Sequence, residues 1–461
     1  MAGLSPHPPI IIPEVGRGEE RNASATIRAM DTLGKEFATG DYDSLVVITP
    51  HGLVLRDAVS IRGDQSLEGD FGNFGAWSVS LVVKNDLELV REIAAVSRED
   101  GFTTVLLDRR AADTYRVEKR LDHGVLVPLY YMVKHGFSKP VVVVNIGFLP
   151  VLDLYRYGTA LARAAKRLGR RIAVLASGDL SHRLKPDAPA GYSPKGRVFD
   201  ENLIGCLRDF DPKGILGMPE DLAQEAGECG LRPVAMMLGS LDDLEVRSEV
   251  LSYEGPWGVG YGIALLRREG PGPSRLTEIL EDRQARLDKA RANESFPVRL
   301  ARSTVERYVR ERKKVEPPED VPEPFRLPAG VFVSIHKDGM LRGCIGTTGP
   351  TCSTAAREII QNAISAATQD PRFRPVTPEE LPFLDYSVDV LSEPEEVSGE
   401  EHLDPKVYGV IVERGRRRGL LLPDLPGINT VREQVDIAKQ KAGIGLREEV
   451  TLYRFTVTRY H

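Results

Sequence analysis

The strongest signals along the chain are short runs in which nearly every residue is apolar or β-branched: 44–49, 141–146 and 172–177. A strand with one wet face alternates apolar and polar side chains, so an unbroken run predicts a strand covered on both faces. A shorter run at 104–107 and an alternating one at 259–266 predict two more strands, and residues 4–12 a short one broken by His7-Pro8-Pro9. Between these runs the apolar residues recur at helical spacing over 22–37, 86–97 and 153–169, with further helices near 197–209 and 219–226. An element also starts just after His123 and continues through 128–133. Strands alternating with helices predict an α/β fold, a mixed or parallel sheet covered by helices.

The pattern changes after residue 266. Residues 267–276 are a Pro/Gly-rich hinge, and 277–293 a charged helix with opposite charges four residues apart. An amphipathic helix at 296–312 precedes a Pro- and Glu-rich loop at 313–328. A strand at 330–336 runs into Lys337-Asp338-Gly339, a hairpin turn of the Asp-Gly type. The small residues of 341–347 predict a tight backbone around Arg342 and Cys344. A helix at 352–368, a strand at 386–391 and strands flanking a basic turn at 414–418 follow. The chain closes with a helix at 429–442 and a strand at 449–458. Without βαβ regularity this half predicts an α+β domain. The expected division is 1–268, a linker with its charged helix at 269–294, and 295–461.

Composition narrows the class of function. Of 461 residues, 41% are hydrophobic and 28% charged, as in ordinary globular proteins. A net charge of −6 and a pI near 5.9 offer no basic field for nucleic acid. No run approaches the roughly 18 apolar residues of a membrane span, and the first residues lack the pattern of a secretory signal. The four cysteines form no CxxC pair, which argues against a disulfide framework or zinc knuckle and for a cytoplasmic setting.

The candidate chemistry lies in Gly/Pro-rich breaks. Five of the eight histidines are in the first half, and four of them occupy such breaks: His7, His51, His123 and His182. His51 and His182 each follow a predicted buried strand, where α/β sheets bind ligands. Two imidazoles and a carboxylate suit non-haem Fe(II), and the same donors can hold zinc with a bound water. Glu228 offers the carboxylate and its neighbour Cys229 a thiolate; only one of two adjacent residues is expected to face the metal. A thiolate favours zinc, copper or redox-sensitive iron. His182 and His123 are then free for proton transfer. His135, His336, His402 and His461 lack this context and are expected on the surface.

The stretches PHPPIIIPE, TPHG, LDHGVLVPL and SGDLSH resemble, in order, the class III extradiol dioxygenase B-subunit (LigB-like) superfamily, with LDHGVLVPL closest to its DOPA dioxygenase branch. The resemblance covers roughly 1–268. It implies an α/β fold and one metal ion, with His7 and His51 as ligands, His182 as the acid–base histidine and His123 as a second active-site histidine. The related Memo proteins match equally well around His182 and at Glu228-Cys229-Gly230-Leu231-Arg232-Pro233, and carry a cysteine where the dioxygenases use a glutamate ligand. LRGCIGT, DPRF-x-P and GLLLP in the second half resemble the AMMECR domain, over about 295–461, which makes Arg342 and Cys344 a further candidate site. The combination resembles the AmmeMemoRadiSam system and implies a radical SAM protein as partner. Two functions are therefore expected. One is a metal-dependent oxidoreductase, with Fe(II) held by His7, His51 and Glu228 and with O2 and a catechol-like substrate. The alternative is a Memo-like metal-binding or adaptor protein, its metal iron, zinc or copper, without ring cleavage.

Overall fold

A computed structural model describes every residue except Asp338 and Pro426, so the Asp-Gly turn expected at 337–339 falls partly outside the described residues. The chain divides into two units, Met1–Leu280 and Glu281–His461. The first unit contains β1 (Ala2–Ser5), β2 (Ser44–Thr49), β3 (Val59–Arg62), β4 (Ser66–Phe71), β5 (Ala76–Lys84), β6 (Thr104–Leu107), β7 (Val141–Asn145), β8 (Ile172–Ser177), β9 (Leu244–Glu254) and β10 (Tyr261–Pro271). Eight of these form one mixed sheet in the order β6-β3-β7-β2-β8-β1-β10-β9, while β4 and β5 pair as a separate hairpin. The four central strands β7, β2, β8 and β1 are mutually parallel.

The unbroken apolar runs form the middle of this sheet because both of its faces are covered. Val46, Ile48, Val142, Val144, Val174 and Ala176 enter one core, packed with the helices Leu87–Glu99, Val151–Arg167 and Leu231–Gly239. Their alternate neighbours Leu45, Val47, Val141, Val143, Ala173 and Leu175 enter the other, under the helices Ser24–Thr39 and His123–Lys134. Period-two geometry thus turns a run with no polar positions into two apolar layers.

Several elements depart from the sequence reading. The strand expected to alternate over 259–266 is buried throughout Tyr261–Leu266, because both faces of the sheet are covered there: Ala264 and Leu266 enter one core and Ile263 and Leu265 the other. It continues to Pro271, so the expected hinge begins inside a strand and only residues 272–274 separate it from the helix Arg275–Ala292. The edge strand β9 escaped notice because charged residues interrupt it. The helix Leu231–Gly239 did so because Pro233 lies in its first turn, where proline is tolerated.

The second unit contains β11 (Val331–Lys337), β12 (Met340–Gly346), β13 (Leu384–Leu391), β14 (Glu395–Val397), β15 (Gly409–Arg414), β16 (Arg417–Leu421), β17 (Thr451–Phe455) and β18 (Val457–Tyr460). They form two four-stranded antiparallel sheets, β12-β11-β13-β18 and β14-β17-β15-β16. Helices Phe296–Glu311 and Ala355–Thr368 pack on the first sheet, and Val431–Lys441, opened by a Thr430–Glu433 capping box, packs on the second. The tight backbone expected at 341–347 is strand β12; Gly343 is small because a Cβ there would sit 2.3 Å from the carbonyl oxygen of Ala366. The single strand expected at 449–458 is two strands that join different sheets. The fold is thus an α/β unit followed by an α+β unit, and among the described residues no helix is long and apolar enough to cross a membrane.

Leu175 is fully buried in the middle of β8. Leu175→Ala should destabilise the protein by about 2–5 kcal/mol, whereas Leu446→Ala, at a half-exposed site, should stay within about 0.5 kcal/mol. Urea denaturation midpoints of the two variants against the parent test the contrast.

Candidate metal site

The parallel strands β1, β2 and β8 are neighbours, so their carboxyl ends share one edge of the sheet. The chain reaches His7 just past β1, His51 just past β2, and Asp179 and His182 just past β8. His123 opens the helix His123–Lys134 at the same place, its ring centroid 4.3 Å from that of His51 and 5.3 Å from that of His7. Two glycines permit the close approach. A Cβ on Gly124 would meet Thr49 Oγ1 at 2.5 Å, and one on Gly178 would meet the Cα of Gly230 at 2.4 Å. The second contact draws the 228–231 turn against the exit of β8 and delivers Cys229 to the cluster.

His7 is buried and doubly anchored. Its backbone N–H donates to Asp179 Oδ1 at 2.9 Å, and its Nδ1 lies 2.9 Å from Ser177 Oγ. The Ser177 hydroxyl donates its one proton to the carbonyl of Gly124, so toward His7 it accepts from Nδ1–H. That tautomer leaves a lone pair on Nε2. Nε2 lies 2.8 Å from Nε2 of His51 and 3.7 Å from Cys229 Sγ. Donor atoms sharing one ion at roughly 2.0–2.3 Å lie about 2.8 Å apart at a right angle and up to about 4 Å at wider angles, so these separations fit a common metal. The ligand atoms of His7, His51 and Cys229 all lie within 4.8 Å of one another.

Glu228, the expected carboxylate ligand, is not in this group. Its carboxylate turns away and accepts the N–H of Leu231 at 2.6 Å, at the start of the helix Leu231–Gly239. Adjacent side chains diverge, and the open helix N-terminus takes the acid while the thiol faces the histidines. His182 places Nε2 3.9 Å from Cys229 Sγ, and His123 stands with Phe74 edge-on to its ring at 5.6 Å.

Electrostatics keeps the imidazoles neutral. Burial, then the His123 and His182 rings, hold His7 well below the usual histidine range. Burial and the three other imidazoles bring His51 down to about 3, although its outer edge is exposed. Burial also lowers His123 and His182, with Asp179 opposing in both cases. The Cys229 thiol is pushed well up by burial and by Asp179 and Glu228, so a metal binding here displaces its proton. Asp179 is raised to about 6 by burial, against the pull of the His7 N–H.

Sequence reasoning missed Asp179, Ser177 and Asp122, which accepts a hydrogen bond from Thr49 Oγ1 at 2.9 Å. All three lie inside the motif stretches, so the signal was present. Phe74 had none, since it sits in the unanticipated β4–β5 hairpin. His135 is half-buried with Nε2 3.1 Å from Asp31, and His336 sits in β11 with Nδ1 4.0 Å from Asp385; His402 and His461 are exposed. In the second unit, Arg342 forks onto Glu380 at 2.8 and 2.9 Å and donates to the carbonyl of Arg374. Cys344 donates its N–H to Asp370 and accepts from Ser334 at 3.3 Å on sulfur, with no histidine in bonding reach among the described residues. Both read as parts of structural pairs.

The lowered histidines set the sign of a pH dependence. Unfolded, His7 and His51 titrate near 6.5; folded, they stay neutral to lower pH. From pH 6.5 down toward about 3 the unfolded chain binds more protons, so their contribution is complete above 6.5 and is lost as pH falls. Metal-free protein should lose stability from pH 7 to 4.5, and His51→Gln should show a shallower loss. Equal slopes in the two denaturation series would contradict this.

Comparisons with known proteins agree with this architecture. Residues 1–264 match the family described as the catalytic LigB subunit of aromatic ring-opening dioxygenase, and residues 298–460 match AMMECR1. A protein of Clostridium acetobutylicum is 40% identical over 459 residues, covering 99% of this chain and 98% of its own. A protein of Thermotoga maritima is 57% identical over 166 residues, 35% of this chain and 95% of its own. The crystal structure of an uncharacterised Pyrococcus horikoshii protein aligns at 36% identity over 36% of this chain and 88% of its own, with a TM-score of 0.33. With its first 264 residues matching that family and a relative of the same two-part build along its whole length, the chain belongs to the LigB family of ring-opening dioxygenase subunits and carries an AMMECR1 domain behind it.

Proposed function

We propose that the first unit is a metal-dependent oxidoreductase whose ion is held by His7, His51 and the Cys229 thiolate. The observation that carries this reading is the three-atom cluster itself, with Glu228 committed to a helix N-terminus. Two imidazoles and a thiolate suit zinc, copper or a redox-active iron, and the oxidoreductase reading takes one of the latter two. When bound, the ion supplies redox chemistry and Lewis acidity beside the neutral histidines. The Ser177 hydroxyl fixes the His7 tautomer, and Asp179 holds the backbone of His7 in place. His182, 3.9 Å from the sulfur, is suited to take a proton from a bound hydroxyl and return it, with His123 as the second proton-holding group on the Phe74 side.

A second reading is extradiol cleavage of a small hydroxylated aromatic by O2. The LigB match favours it, and so does the Phe74 ring beside His123. It requires Glu228 to leave Leu231 and replace Cys229. The fused AMMECR1 domain supports a setting within an AmmeMemoRadiSam-type system, with a radical SAM protein as partner.

Metal analysis with X-ray absorption on the full chain separates the two. The first reading expects one ion per chain with a sulfur neighbour at about 2.3 Å. Cys229→Ser should lose the metal and Glu228→Gln should keep it. Ser177→Ala, which frees the His7 tautomer, should weaken metal affinity by about 10–100-fold. Loss of metal in Glu228→Gln with retention in Cys229→Ser, together with oxygen uptake on catechol, would instead select ring cleavage.

A further inference from the structure

Asp200 is a fully buried carboxyl that the metal cluster does not use. It lies on the helix Pro194–Arg208, and among the described residues it forms no ion pair. Its oxygens have one neutral donor each. Oδ1 accepts the backbone N–H of Ser181 at 2.7 Å, and Oδ2 accepts the hydroxyl of Tyr253, on β9, at 2.7 Å. Burying a carboxyl without a cation is costly, and an apolar side chain of the same size would fill the space without that cost. Two glycines make room for the arrangement: a Cβ on Gly260 would lie 2.1 Å from Asp200 Oδ2, and one on Gly196 2.3 Å from Ser181 Oγ. The position points to a role beyond packing.

The residue after Ser181 is His182. Residues 178–184 form neither helix nor strand, so the direction of the imidazole depends on how this segment is tied. Leu180 donates its N–H to the Gly260 carbonyl at 2.8 Å, Gly260 donates its own to the Ser181 carbonyl at 2.8 Å, and Leu184 donates to the Gly258 carbonyl at 2.9 Å. The His182 N–H and the Ser181 hydroxyl both donate to the Ala226 carbonyl at 3.0 Å. Asp200 takes the remaining donor of Ser181, its N–H. Both backbone polar groups of Ser181 are then held, and His182 emerges from a fixed peptide with Nε2 3.9 Å from Cys229 Sγ.

We propose that Asp200 is the positioning residue of His182, holding the Ser181 backbone from which the imidazole reaches Cys229, with the Tyr253 hydroxyl steadying its carboxylate. The inference rests on the reading of His182 as a proton-holding group and adds what aims it. A charged acceptor makes the Ser181 bond roughly twice as strong as a neutral one. Burial raises Asp200 to about 7, with help from Glu228 and Glu201 and against the Ser181 N–H and the Tyr253 hydroxyl. Tyr253 comes from β9, Glu228 from the turn before the helix Leu231–Gly239 and Glu201 from the helix of Asp200 itself; Arg197, on that same helix, faces Tyr253. The carboxylate is present above about pH 7 and is lost below it, so the tie on His182 tightens as pH rises through neutrality.

NMR of the full chain, metal-free and isotope-labelled in its histidine rings, tests this across neutral pH, with the His182 signals assigned by their loss in His182→Gln. They should show an inflection near 7 besides the ring's own at lower pH. Asp200→Asn, which keeps an acceptor for Ser181 and removes the charge, should erase that inflection. Tyr253→Phe should move it up by about one pH unit, since the carboxylate loses a donor. Asp200→Ala, which frees the Ser181 N–H, should shift the His182 signals at every pH and leave those of His51 in place; if it does not fold, the Asn and Phe variants decide. An inflection that persists in Asp200→Asn or stays put in Tyr253→Phe would overturn the proposal. So would an Ala variant whose His182 differs from the parent only above pH 7, which would reduce Asp200 to a distant charge. No metal or turnover enters the readout. A His182 that answers to Asp200 in a protein without oxidoreductase activity would refute the functional reading and leave this inference standing; an active protein whose His182 ignores Asp200 would do the reverse.

Discussion

Asp179 ties together the three segments that make the site. Its carboxylate accepts the backbone N–H of His7, its own N–H donates to Cys229 Sγ at 3.3 Å, and its carbonyl accepts the N–H of Cys229 at 3.2 Å. The exits of β1 and β8 and the turn before the helix Leu231–Gly239 are thereby fixed to one residue. These contacts are possible only because Gly178 and Gly230 let two backbones meet without a Cβ between them. Remove that approach and Cys229 would leave the histidines, whatever the rest of the sheet did.

The same burial that assembles the donors sets their protonation. Imidazoles packed against one another and largely buried resist a positive charge, so they wait as neutral bases with lone pairs available. The thiol responds in the opposite direction and holds its proton until a cation replaces it. A metal ion held there would relieve both conditions at once, sitting where no proton is welcome on nitrogen and replacing the one on sulfur. Asp179, with its carboxyl raised to about 6, adds a group poised near neutrality whose Oδ2 lies 4.0 Å from Nε2 of His7.

The second unit shows the opposite balance. Its charged groups near Cys344 are already matched: Arg342 with Glu380, Arg372 with Asp370 and Arg459 with Asp389. The Arg372 fork holds the Asp370 carboxyl at about 2, far from any proton exchange near neutral pH. Matched forks of this kind hold a loop against a strand and leave little charge for a ligand.

The sequence by itself determined the layer structure and the location of the chemistry. Runs such as 44–49 and 172–177 have no polar position, which only a doubly covered strand tolerates, and the histidines that follow them had to emerge at a sheet edge. The extra residues in the motif stretches, Ser177 and Asp179, were equally visible. Tertiary structure alone decided which of Glu228 and Cys229 faces the histidines. Adjacent residues share one local pattern, and the choice depends on a glycine–glycine contact between segments some fifty residues apart and on a helix that starts at Leu231. Strands β4, β5 and β9 also stayed hidden, because edge and hairpin strands carry charges and glycines that blur the alternation.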